Sequence, residues 1–408
     1  MGFPKNEKLG KFRPLLNFIC KLLSLTKIFE NFYLSKDNDS WKEIMRSIIF
    51  HDFLIERGGG ERVVNTLAKF FDPLIITCFY NRDYTYEEFK EKRIIHILWF
   101  PNEKIVKISP LKILRAIYFF KKHLSRFANF FNNHFDFSII SGFYSIYLAK
   151  FLKIPKIYYI QVEPLGYVFE REAYSNYFFL PHRLFYRMFL KKSELENIHS
   201  MDKIIANSNY TKNLYEEYFN VKVDRVVYPP VNISKFYFKR HSNFFLCVGR
   251  LYPHKRVHIV AKAFTKLKKE KLIIVGSGPL SNYISAISRK YSNIVYLGSV
   301  SDEKLRELYA TCKAVIYMSE KEPFGIIPIE ANASGKPAIV SCEGGLPETI
   351  VPGKTGIIVK PPYEENLIKE ISSFDYTKFD PIKCIKNAKR FSEKLFLHRI
   401  KKEIEGIL

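Results

Sequence analysis

An α/β chain of two Rossmann-like, doubly wound domains facing each other across a cleft is the fold this sequence predicts. Three observations carry it. A length of 408 residues suits two or three domains. A hydrophobic content of 47% supplies enough apolar surface for packed cores. Above all, short apolar runs alternate with helical patterns, and the series restarts after Tyr228-Pro229-Pro230-Val231-Asn232. Such alternation predicts parallel sheets covered by helices on both faces.

Taken in order, residues 47–50 form the first apolar, strand-like run. Residues 61–71 follow as a helix, with Val63, Val64, Leu67, Ala68 and Phe71 on one face. Further strands are predicted at 74–78, 93–98, 137–140, 157–160 and 203–206. The second series places strands at 244–248, 272–275, 294–297, 314–318 and 338–341, with helices at 257–269, 281–290 and 302–311. A hinge is expected over residues 228–242. The chain thus divides into a basic apolar extension (1–40), an N-terminal Rossmann-like domain (41–235), a C-terminal Rossmann-like domain (236–390) and a last helix (391–408) expected to return to the N-terminal domain. Ligands in such folds bind at the carboxyl ends of the strands, so the cleft is the expected site.

The net charge of +24 calls for an anionic partner surface. No zinc-finger spacing or RNA-recognition signature accompanies it, so no nucleic acid is expected. No apolar run reaches the ~20 residues of a membrane-spanning helix. Lys21 and Lys27 interrupt the apolar N-terminus, which argues against a signal peptide. Leu15, Leu16, Ile19, Leu22 and Leu23 share a helical face among Lys8, Lys11 and Arg13, a pattern that permits an interfacial helix. The segment 111–131 reads equally as an ordinary core-packed helix; Phe119, Phe120, Phe127, Phe130 and Phe131 favour lipid contact. A cytoplasmic protein peripheral to an anionic membrane is therefore expected. The cysteines Cys20, Cys78, Cys247, Cys312, Cys342 and Cys384 are scattered, without zinc or disulfide spacing; several sit in apolar strand-like runs and read as buried thiols, which favours a reducing compartment.

The strand ends carry the chemistry. Glu322-Pro323-Phe324-Gly325-Ile326-Ile327-Pro328-Ile329-Glu330 sets two carboxylates eight positions apart across a strand-to-helix loop. Backbone N–H groups near Phe324, Gly325 and Ile326 suit a phosphate at a helix start, and the carboxylates suit sugar hydroxyls. Two cations, Arg250 and Lys255, leave the first strand of the second half in Gly249-Arg250-Leu251-Tyr252-Pro253-His254-Lys255, where they would neutralise a diphosphate leaving group. In the first half, Glu56-Arg57-Gly58-Gly59-Gly60-Glu61-Arg62-Val63-Val64 lets a backbone approach a ligand closely at Gly59 and Gly60. Asp37-Asn38-Asp39 reads as a solvated loop rather than a metal site.

The Glu-Pro-Phe-Gly string, with the following Ala331-Asn332-Ala333-Ser334-Gly335-Lys336-Pro337, resembles the Glu-x7-Glu motif of retaining glycosyltransferases of family 4, which have the GT-B fold. The triple-glycine string is similar to that of archaeal and dolichol-pathway mannosyltransferases. Gly278 in Val275-Gly276-Ser277-Gly278-Pro279, Val300 in Tyr296-Leu297-Gly298-Ser299-Val300, and Gly344-Gly345-Leu346-Pro347-Glu348 extend the likeness over roughly residues 44–400. The resemblance implies a metal-independent enzyme without cofactor, moving a hexose from a GDP- or UDP-sugar to a lipid-linked or glycan hydroxyl. Arg250, Lys255 and Glu322 would be catalytic. Gly59, Gly60, Gly278, Val300, Phe324, Gly325, Ile326 and Glu330 would bind the donor, with Glu330 on the ribose.

One departure stands out. Where related enzymes often carry a histidine near the donor sugar, this chain has Gln161, followed by Glu163 as an acceptor-side carboxylate. An amide hydrogen-bonds a sugar but does not titrate near neutral pH. Sugar epimerisation or phosphorolysis on the same fold, and a basic nucleic-acid-binding protein, remain the alternatives.

Overall fold

The computed structural model of the protein describes residues 45–96, 116–164, 167 and 186–408. The basic apolar stretch 9–29, the Asp37-Asn38-Asp39 triplet and the start of the 111–131 segment lie outside them.

Two wholly parallel sheets form the frame. The first has seven strands: β1 (Ser47–Leu54), β2 (Leu74–Tyr80), β3 (Ile94–His96), β4 (Phe137–Ser141), β5 (Lys156–Ile160), β6 (Lys203–Ala206) and β7 (Arg225–Val226). Their spatial order is β3-β2-β1-β4-β5-β6-β7. The second has six: β8 (Phe245–Val248), β9 (Leu272–Val275), β10 (Ile294–Tyr296), β11 (Val315–Tyr317), β12 (Ala338–Ser341) and β13 (Gly356–Val359), in the order β10-β9-β8-β11-β12-β13. In register, Ile49 lies opposite both Ile75 and Ile139. Successive residues of a strand face opposite sides of its sheet. Ile48 and Phe50 accordingly enter one core while Ile49 enters another. The second sheet divides likewise, with Cys247 on one side and Leu246 and Val248 on the other.

The helix Gly59–Phe71 begins two residues earlier than its apolar pattern does and ends on Asp72 in the left-handed conformation. Its buried stripe of Val63, Val64, Leu67 and Ala68 covers the first sheet. The C-terminal helix Glu393–Glu405 lays Phe396, Ile400 and Ile404 into that same core, four residues apart on one face. Phe396 meets Tyr159 edge-on, with ring centroids 5.8 Å apart. Each such buried side chain contributes about 1.5–3 kcal/mol.

The segment 111–131 requires a correction. Its five phenylalanines do not face lipid: Phe119, Phe120 and Phe131 are buried in the N-terminal core, and Phe127 and Phe130 pack against it. The physical reason is that this stretch covers the outer face of the first sheet, where aromatic area is needed against Phe50. Lys121, Lys122 and Arg126 stay exposed, as does Tyr118. Among the described residues no helix is long and apolar enough to cross a membrane. Cys78, Cys247, Cys312 and Cys384 are buried.

Candidate functional site

In each sheet the strand order reverses once, between β1 and β4 in the first and between β8 and β11 in the second. A crevice opens at the carboxyl ends of the strands at such a point, because the connecting helices diverge to opposite faces. The chain spends its chemistry there. β1 runs into the glycine loop, β8 into Arg250 and Lys255, and β11 into Ser319 and Glu322.

On the C-terminal side, the Lys255 ammonium contacts Oε2 of Glu322, and Ser319 Oγ donates to the same oxygen at 2.6 Å. Lys255 Nζ also lies 3.3 Å from the Tyr317 hydroxyl. Burial alone would raise the Glu322 pKa, but the Lys255 charge and the Ser319 hydroxyl overcome it, and with Arg250 nearby the carboxyl is held down at about 2. Burial works against the Lys255 charge too, and Glu322 again outweighs it, lifting the ammonium above its ordinary value. The pair therefore stays ionised across neutral pH. Gly278 shapes the loop beside it. At φ +157 a Cβ there would lie 2.8 Å from the Leu251 backbone nitrogen, so only glycine lets the β9 turn close on the residue following Arg250.

Glu330 sits on the short helix Ile327–Ala333 and is buried. Tyr309 donates its hydroxyl to Oε2 at 2.9 Å, and Arg62 reaches across the cleft to Oε1 at 2.8 Å. A carboxylate has about four acceptor positions, and these two bonds take about half of them. Arg250 also looks across the cleft, pairing with Glu56 at 2.8 Å. Its side chain is 56% exposed, and such a pair contributes at most about 1 kcal/mol, so it is easily exchanged for another anionic partner.

On the N-terminal side, Gly59 faces open space, and Gly60 lies beside the Gln161 amide and the His51 ring. Gln161 donates to Ser141 Oγ at 2.5 Å and lies at the end of β5. Glu163 is buried and accepts from the Tyr210 hydroxyl at 2.9 Å. The predicted residues Arg250, Lys255, Glu322 and Glu330 thus meet on one wall, with Gly59, Gly60, Gln161 and Glu163 on the facing one. Two donor-site candidates sit differently. The Phe324 ring turns away from the cleft into the junction between domains, stacked on Tyr228 at 5.3 Å. Val300 packs partly buried against the C-terminal core. Gly325, at φ +90, and Ile326 carry the chain into the helix. Among the described residues no three His, Cys, Asp or Glu side chains gather as a metal site.

Two family models match in tandem: Glycosyltransferase Family 4 over residues 57–235 and Glycosyl transferases group 1 over residues 232–391. The chain belongs to the GT-B glycosyltransferases.

Among its relatives is an uncharacterized glycosyltransferase of Methanocaldococcus jannaschii. It is 30% identical over 196 residues, covering 47% of this chain and 55% of the relative. The O-antigen chain mannosyltransferase RfbU of Salmonella typhimurium is 33% identical over 172 residues, covering 39% of this chain and 46% of that one. The matched stretches span between 25% and 55% of the curated relatives' lengths. The structure of Anabaena HepE in complex with UDP and glucose superposes with a TM-score of 0.61 at 16% identity. That match covers 88% of this chain and 99% of HepE.

Sequence reasoning gave no role to several groups of this glycosyltransferase that the fold brings to the site. Glu56, Arg62 and Glu348 lie inside quoted strings, so their presence was visible and their partners were not. Tyr309 and Tyr317 carry no sequence signal, because what they touch depends on how the helix Asp302–Thr311 and β11 pack.

Proposed function

We propose that this chain is a retaining hexosyltransferase that moves mannose or glucose from a GDP- or UDP-sugar to a hydroxyl of a lipid-linked or glycan acceptor. The observation that carries the reading is the Lys255–Glu322 contact on the cleft wall, beside Arg250 and eight residues before Glu330. Glu330 takes the ribose hydroxyls. Arg250 and Lys255 take the diphosphate, so positive charge is already in place where negative charge grows as the sugar–phosphate bond breaks. Glu322, fixed as a carboxylate, accepts from hydroxyls of the transferred sugar. The acceptor hydroxyl attacks from the face the diphosphate leaves, and a phosphate oxygen takes its proton, so the anomeric configuration is kept. Gln161 and Glu163 face this point from the acceptor side. No divalent ion is required, since two cations of the chain serve the leaving group.

The mannosyltransferase relative supports a hexose, and the HepE complex supports a nucleotide diphosphate donor in a chain of this fold. The net charge supports an acceptor held at an anionic membrane surface. The test is a screen of GDP- and UDP-hexoses for donor cleavage, repeated with excess chelator. Cleavage of at least one donor, retained in chelator, is expected. Absence of cleavage and of nucleotide binding throughout the screen would overturn the reading. Loss in chelator with rescue by magnesium or manganese would overturn the metal-independent step alone.

A further inference from the structure

The loop that carries Glu322 is gripped from both domains at once. Its backbone is wrapped on one side by Gly344 and Gly345. Gly345 N–H donates to the Glu322 carbonyl at 2.8 Å. Gly344, at φ +66, lies so close to the Glu322 backbone that a Cβ would overlap it. Three residues further on, Glu348 leaves this loop for the other domain. Its Oε1 accepts the Tyr210 backbone N–H at 2.9 Å. Its Oε2 accepts the Asn209 backbone N–H at 2.9 Å, the Asn209 amide at 2.8 Å and the Tyr228 hydroxyl at 3.1 Å. These N–H groups open the helix Asn209–Phe219, whose first turn has no partners of its own along the helix. A carboxylate there makes charge-assisted bonds and meets the positive end of the helix dipole.

The same helix start reaches back to the reactive loop. Ser208 Oγ donates to the Pro323 carbonyl at 2.5 Å, and Thr211 Oγ1 lies 3.4 Å from it. Pro323 directly follows Glu322. From the second residue of the helix, the Tyr210 hydroxyl holds Glu163. One helix turn therefore touches the donor-side loop through Ser208 and the acceptor-side carboxylate through Tyr210. Glu348 holds that turn in place from the far domain.

We propose that Glu348 is a positioning residue: by capping the Asn209–Phe219 helix from the opposite domain, it fixes the Glu322 loop and Glu163 relative to each other across the cleft. The inference rests on the transfer reaction proposed above. Glu348 touches none of Arg250, Lys255 and Glu330, the side chains proposed above to hold the nucleotide, so its loss leaves their hold on the donor in place and misplaces the reacting centres.

The experiment compares Glu348→Ala, Glu348→Gln and the parent chain in three measurements. Binding of UDP and GDP by calorimetry should stay within about twofold, because a positioning loss falls on kcat rather than on binding. Turnover of the cleaved GDP- or UDP-hexose should show kcat lower by about 10–100-fold in Glu348→Ala, as for a displacement on the order of 1 Å, with KM unchanged. Glu348→Gln keeps one acceptor oxygen and should be intermediate. Amide hydrogen exchange should quicken over residues 319–326, which Glu348 does not touch, as well as at 209 and 210. Unchanged kcat, or kcat and nucleotide affinity falling in the same proportion, would overturn the proposal. If the parent chain cleaves no donor, the functional reading fails; exchange over 319–326 then decides the clamp by itself, and unaltered exchange there refutes it.

Discussion

Lys255 and Glu322 form a direct ion pair on the cleft wall, with side chains only 7% and 18% exposed. Neither group is tolerable there alone, because a buried charge without its partner keeps the desolvation cost and loses the attraction.

Lys255→Ala should therefore cost stability as well as rate. Breaking a buried pair from one side typically costs about 3–5 kcal/mol, and losing one electrostatic donor to a developing charge costs ~10²–10³ in turnover. Arg250→Ala, at an exposed position, should lose rate over the same range while its melting temperature holds. Thermal unfolding and donor cleavage measured side by side separate the two. Near-parental turnover in both variants would mean that the diphosphate sits elsewhere.

The two carboxylates should divide their labour. Glu330→Gln removes a charged acceptor for ribose hydroxyls and should weaken binding of the nucleotide diphosphate alone. Glu322→Gln should spare that binding and impair transfer. Calorimetry with UDP and GDP reads the difference, and equal losses in both variants would contradict it.

Glu61 should make stability pH-dependent. It is buried at the start of the glycine-loop helix; burial first, then the charge of Glu56, push its pKa from 4.5 up to about 8. Between those values the folded protein keeps a proton that the unfolded chain gives up. The stability from this group is thus present below pH 4.5 and lost as the pH rises through about 8. Glu61→Gln removes the dependence. Urea titrations at several pH values should show the variant gaining on the parent from pH 4.5 to about 8 and no further above. A constant difference throughout would show that Glu61 is ionised in the folded protein.

The protein should bind anionic liposomes at low salt. The grounds are the net charge of +24 and the basic apolar stretch 9–29; the buried aromatics of 111–131 no longer count among them. Each basic residue near such a surface contributes roughly 1 kcal/mol, fading within a Debye length. Salt should weaken binding without abolishing it, because inserted apolar side chains are not screened. Deleting residues 1–40 should reduce sedimentation with vesicles and leave donor cleavage intact. A full-length protein that ignores anionic vesicles would redirect the charge to a soluble partner.

Local periodicity determined most of the frame. Strand and helix alternation is a property of neighbouring residues, so β1 to β6 and β8 to β12 were legible, as were the strand-end positions of Arg250, Lys255 and Glu322 and the place of Glu330 in the helix that follows. β7, two residues long, and β13, which opens on a glycine, carry too little pattern to stand out. The tertiary structure alone decided what each charge faces. Arg62 and Glu330 are 268 residues apart and meet at 2.8 Å. Glu348 caps a helix 138 residues before it. The sequence likewise left the 111–131 segment open between core and lipid, because an amphipathic pattern states that one face is apolar without stating what covers it. Such pairings depend on where two sheets come to rest against each other, and no spacing along one chain encodes that distance.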